Sequence, residues 1–131
     1  MNEPYHVTPF LFVGILFCFL LSCSTPPERN CADFKEGTFQ FSTLVDGDSL
    51  TTTFVRKGNL EIDYFNGKQD SSSVRWINDC EYIIKKLHPK NRAEEKSVHI
   101  KILTTTDRSY TFEFSAVGET KKLRGTAYKT P

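Results

Sequence analysis

Three histidines, four cysteines and sixteen carboxylates are the side chains on which any chemistry of this 131-residue chain would rest. Their spacing matches few known chemistries. His6 falls in an apolar leader, His88 precedes Pro89 in a connecting segment, and His99 lies between Val98 and Ile100, where strand alternation turns it outward. The chain holds no Gly-x-Ser-x-Gly elbow, no His-Glu-x-x-His helix and no phosphate-binding glycine loop. Asp46-Gly47-Asp48-Ser49 alternates oxygen ligands as a calcium loop does. The glycine and a distant Glu are not where a closed calcium loop needs them, so the segment reads as a hairpin turn. Glu61 and Asp63 alternate with Leu60 and Ile62, which predicts a solvated strand face rather than an acid/base pair. Arg56 and Arg75 read as strand-end charges without an assigned role. Without Cys-x-x-Cys, or a His at ligand spacing from a cysteine, no metal set is expected. The expectation is therefore a protein that is not an enzyme, with no catalytic residues and no cofactor.

The thiols gain meaning from the N-terminus. From Phe10 to Leu21 every residue is apolar or Gly. Those 12 residues are too few for a bilayer-crossing helix, which needs roughly 20, but they fit the hydrophobic region of a signal peptide. Leu20-Leu21-Ser22-Cys23 follows, and it resembles the lipobox of bacterial lipoproteins. Cys18 is preceded by the bulky Phe17, which disfavours cleavage there. The leader carries Glu3 and no Lys or Arg, a departure from the usual pattern, and a non-cleaved anchor or an ordinary secretory signal are the alternatives. The expected organisation is a signal peptide over 1–22, a lipidated N-terminus and tether over 23–30 that contains Pro26-Pro27, and one domain over 31–131. Acylation of Cys23 with two or more chains, at about 0.8 kcal/mol per buried CH₂, would hold the domain at a membrane surface. Removing residues 1–22 leaves 109 residues of net charge +2, too little for electrostatic capture of nucleic acid. Cys31 and Cys80 then remain as an even pair in an oxidising compartment, and a disulfide between them is expected, two buried free thiols being the alternative. Closing that loop stabilises a fold by about 4 kcal/mol in the chain-entropy description.

Beyond the tether the apolar residues recur at every second position. Phe39 and Phe41, then Leu60, Ile62 and Tyr64, then Val74 and Trp76, then Val98, Ile100 and Ile102, then Tyr110, Phe112 and Phe114 each mark the expected buried face of a strand. Turn chemistry at Asp46-Gly47-Asp48, Gly58-Asn59, Asn66-Gly67 and Asn78-Asp79 separates them. Strands are predicted near Thr38 to Val45, Leu50 to Lys57, Leu60 to Phe65, Lys68 to Ile77, Cys80 to Leu87, Ser97 to Thr104, Ser109 to Ala116 and Lys122 to Tyr128. The longer connection His88 to Lys96 can form one or two helical turns. Short connections make a meander, and a meander of eight strands avoids exposed edges by closing on itself. The predicted fold is all-β, a small antiparallel up-and-down barrel that is lipocalin-like. Phe54, Tyr64, Trp76, Tyr82, Tyr110, Phe112 and Phe114 either fill its core or line a cavity for an apolar ligand.

The runs Val74-Arg75-Trp76-Ile77-Asn78-Asp79-Cys80-Glu81-Tyr82, Lys101-Ile102-Leu103-Thr104-Thr105-Thr106 and Tyr110-Thr111-Phe112-Glu113-Phe114-Ser115 resemble a family of small uncharacterised lipoproteins of Bacteroidota-type bacteria. Cys31-Ala32-Asp33-Phe34-Lys35-Glu36-Gly37 resembles that family's mature start. The family supplies no activity or binding residues. Some similar sequences carry a DNA topoisomerase IV label, but that chemistry needs an ATPase region, a tyrosine nucleophile and a large basic DNA gate, which a mature chain of this size cannot house. The expected function is a membrane-anchored envelope lipoprotein acting as a non-enzymatic binding or structural module. The alternative is a lipocalin-like carrier of a small apolar ligand. Expected partners are the membrane, through the lipid, and an envelope protein or small apolar ligand, with no nucleic acid. No acidic run follows Cys23, which points to a periplasm-facing location in the bacterial cell envelope.

Overall fold

The computed structural model describes residues 28–131. The leader, Cys23 and most of the tether lie outside the described residues. A short 3-10 turn, Cys31–Phe34, precedes eight strands: β1 (Gly37–Val45), β2 (Asp48–Lys57), β3 (Leu60–Phe65), β4 (Lys68–Asn78), β5 (Glu81–Lys86), β6 (Val98–Thr105), β7 (Ser109–Ala116) and β8 (Leu123–Thr130). Each pairs antiparallel with the next, and β8 pairs with β1 through Phe41↔Ala127 and Phe39↔Lys129, closing an up-and-down barrel. One helical turn, α1 (Arg92–Glu95), interrupts the β5–β6 connection, capped by the Asn91 side chain, which accepts from the Glu94 amide. Among the described residues no helix is long and apolar enough to cross a membrane.

The hairpins follow from their turn residues. Asp46-Gly47 and Asn66-Gly67 hold φ of 52° and 88°, and of 48° and 70°, the left-handed pair that a two-residue hairpin matched to strand twist requires. These turns, with Gly58-Asn59, fix the register residue by residue. Lys57 opposes Leu60, so Arg56 opposes Glu61 and Phe54 opposes Asp63; Phe65 then opposes Lys68, so Asp63 opposes Asp70 and Glu61 opposes Ser72. Directly opposed residues share a face. Because Phe39 and Phe54 point inward, stacked at 5.1 Å, Glu61 and Asp63 must point inward too.

That corrects the expectation for β3. Leu60, Ile62 and Tyr64 face outward, with Tyr64 44% exposed, while Glu61 is only 4% exposed. Register won over hydrophobic alternation, since a one-residue slip would turn every side chain of the strand to the other face. The other strands bury the residues their alternation predicts, among them Val74, Ile100, Ile102, Tyr110 and Phe112.

The two ends of the barrel differ. The 3-10 turn stops one end: Phe34 is buried with its ring 5.3 Å from Tyr110, and Cys31 is disulfide-bonded to Cys80 beside the β4–β5 turn. Lys129 Nζ donates to the Asp33 carbonyl, and Lys35 pairs with Asp79, so strands on both sides of the stopper hold it. The turns after β1, β3 and β7, together with α1, surround the opposite end.

Candidate functional site

Above the stopper sits a buried arginine. Arg56, 1% exposed, donates from Nε to Glu61 Oε2 at 2.8 Å, from Nη1 to the Phe34 carbonyl at 2.9 Å, and from Nη2 to the Tyr82 and Tyr110 hydroxyls at 2.8 and 3.3 Å. Its guanidinium carbon lies 4.5 to 5.7 Å from the rings of Tyr82, Phe39, Phe54 and Trp76. Burial alone would disfavour the charge. The Tyr82 and Tyr110 hydroxyls and the Glu61 carboxylate outweigh it and hold Arg56 above its ordinary range, so the cation persists at every physiological pH. The same burial raises the Tyr82 hydroxyl well above its ordinary value. One side chain thus joins the stopper to β2, β3, β5 and β7, and its charge is balanced by Glu61.

Toward the other end the interior is hollow. A cavity of about 330 Å³ has Arg56 and Glu61 at its floor, Phe54, Thr52 and Asp63 on the β2–β3 side, and Phe41, Ile84, Val98, Ile100, Phe112 and Phe114 on the wall from β5 through β7 to β1. That volume is in the range of small-molecule pockets. Gly125 makes room for the aromatic wall: a Cβ there would overlap the Phe41 ring and meet Phe112 at 3.0 Å. Thr52 and Asp63 also line an outer hollow of about 480 Å³ at the rim, bounded by Phe65, Lys68, Asp70, Lys86, His88 and Lys90.

Asp63 stands between the two spaces. No hydrogen bond or ion pair reaches its carboxylate among the described residues, whereas its cross-strand neighbour Asp70 is held by Lys86 Nζ at 2.7 Å, which also lies 3.3 Å from Glu94 of α1. Burial, then repulsion from Glu61 and Asp70, pushes the Asp63 carboxyl up to about 7, with Arg56 and Lys86 pulling the other way. Asp70 itself is lowered, first by its hydrogen bond with Lys86.

Of the aromatics expected to line a cavity, Phe54, Tyr82, Tyr110, Phe112 and Phe114 do so. Tyr64 does not, because β3 turns it outward, and Trp76 packs at the stoppered end, 4.5 Å from Tyr82. Cys31 and Cys80 form the expected disulfide. Arg56 does stand one residue from the end of β2, but buried, as the centre of a network, and Glu61 and Asp63 face the interior rather than a solvated outer face. His99 takes the predicted outer face, its Nε2 3.1 Å from Glu81; His88 is at the rim; no hydrogen bond joins the two among the described residues. The same residues contain no cluster of ligating side chains that would hold a metal. The architecture defines a small closed barrel, stoppered at one end and hollow at the other. No family model, curated protein or solved structure matches the chain.

Proposed function

We propose that this protein is a lipid-anchored binding protein of the bacterial envelope whose barrel takes up a small, largely apolar molecule. The observation that carries the reading is the 330 Å³ interior cavity with aromatic and aliphatic walls and few polar groups, the composition of a ligand pocket rather than of a close-packed core. The leader and Leu20-Leu21-Ser22-Cys23 support the anchor, and the resemblance to small Bacteroidota-type lipoproteins supports the setting. The Cys31–Cys80 disulfide is in keeping with an oxidising compartment. Binding of this kind needs no catalytic group, so the reading is non-enzymatic.

The uncharged dye N-phenyl-1-naphthylamine tests it. The protein is expected to bind the dye with enhanced, blue-shifted emission, and Val98→Trp, which fills the cavity from its wall, is expected to abolish the signal while leaving the far-ultraviolet circular dichroism unchanged. Absence of binding by the parent protein, or binding indifferent to both Val98→Trp and Ile84→Trp, overturns the reading.

Docking of a partner protein is the second reading, and one observation favours it: Leu60 and Tyr64 stand exposed on the outer face of β3, with Ile62 between them. Strand outer faces normally carry polar residues.

A further inference from the structure

From the interior charges we infer that the molecule held in the cavity carries a protonated amine on an apolar body, and that Asp63 is the group that receives the amine. The inference rests on the binding reading above and adds the ligand's chemistry to it. Three ionic side chains line the hollow, Arg56, Glu61 and Asp63, and the rim around Asp63 adds Asp70 and Lys86, which pair with each other, together with Lys68, His88 and Lys90. Arg56 balances Glu61 and spends its N–H groups on Glu61, the Phe34 carbonyl, Tyr82 and Tyr110. Asp70, opposite Asp63 on β4, is taken by Lys86 of β5. Asp63 is the one carboxylate of the hollow and its rim with no partner among the described residues, and it lines both.

A carboxylate ligand would find no uncommitted cation lining the hollow, Lys68 and Lys90 standing only at the rim, and would face Asp63. An uncharged one would shut the carboxylate away from water without a partner, which costs several kcal/mol unless the group takes up a proton. An ammonium makes a charge-assisted hydrogen bond to it, about twice as strong as a neutral one. Size narrows the class further. A cavity of about 150 Å³ accepts benzene, so one of about 330 Å³ holds a single short chain or two rings and excludes a diacyl lipid. The apolar body lies against Phe41, Ile84, Val98 and Phe114, across the barrel from β3. Affinity for the amine should rise with pH through about 7, as Asp63 ionises against the opposition of burial, Glu61 and Asp70 and with the help of Arg56 and Lys86.

Octylamine, octanol and octanoate share a chain and differ in the head, so their calorimetric titration into the purified full chain isolates the charge. At about pH 8 octylamine is expected to bind at least about tenfold more tightly than octanol, with octanoate weakest. At about pH 5.5 that preference should vanish, and Asp63→Asn should erase it at about pH 8 while keeping octanol binding. Equal affinity for amine and alcohol at about pH 8, or a preference that survives in Asp63→Asn, overturns the inference and leaves the cavity reading standing. Failure of all three probes to bind the parent protein overturns both.

Discussion

The two halves of one barrel interior are built on opposite rules. Near the stopper the buried polar groups are partnered: Arg56, Glu61, Tyr82, Tyr110 and the Phe34 carbonyl form one connected set inside a ring of aromatic side chains. Toward the mouth the walls are looser, with Phe41, Ile84, Val98 and Phe114 only half-buried and one carboxylate left without a mate. The chain is small, so it has little apolar material to spend. It concentrates packing, hydrogen bonding and the disulfide at one end, which frees the other from holding the fold together.

The largest blow to this division should come from Arg56→Met. It leaves Glu61 buried without its counter-charge and should cost about 3–5 kcal/mol in urea unfolding, whereas Arg56→Met with Glu61→Gln should recover most of the loss. A cost under about 1 kcal/mol for the single variant would mean that the network does not support the stoppered end. A paired truncation sharpens the contrast. Ile102→Ala, at a fully buried position, should cost about 3 kcal/mol, and Ile84→Ala, on the wall of the hollow, about 1 kcal/mol. Equal costs would mean that both halves are packed alike.

The smallest effect concerns Asp63 and pH. Its carboxyl titrates near 3.8 in an unfolded chain and near 7 in the folded one, so the unfolded state ionises first. The stability tied to the protonated form is present in full below about pH 4 and is lost as pH rises through about 7. Relative to Asp63→Asn, the parent should therefore lose on the order of 1–2 kcal/mol between about pH 4 and pH 8, a figure reduced for the partial exposure of the group. A difference between the two proteins that does not change with pH would remove Asp63 from the interior.

Much of the hollow end was legible in the sequence, and the error that hid the rest has a physical source. Alternation and turn chemistry together located all eight strands, and β3 and β7 took the bounds predicted for them. Alternation failed on β3 because Leu60-Glu61-Ile62-Asp63-Tyr64 alternates as a strand should while facing the opposite way. The corrective signal lay in the turns. Two-residue hairpins at Gly58-Asn59 and Asn66-Gly67 carry parity across β3, so Phe54 and Trp76 cannot both face inward unless Glu61 and Asp63 do as well. With Glu61 inside, a buried cation opposite it becomes a requirement, and Arg56 is the residue the register supplies. Which interior carboxylate would find a partner was not legible, because that depends on how far Lys86 reaches from the far end of β5.

The chain comes in at the foot of this cup: Arg29 donates to the Ile102 carbonyl and the Asn30 amide to Thr105, both on the strand end that flanks the stopper. On the proposed anchoring at Cys23, a short fastening made ahead of them would grip the vessel by its base and leave the aperture looking away. A guest would then arrive from the surrounding fluid instead of sliding sideways out of a leaflet.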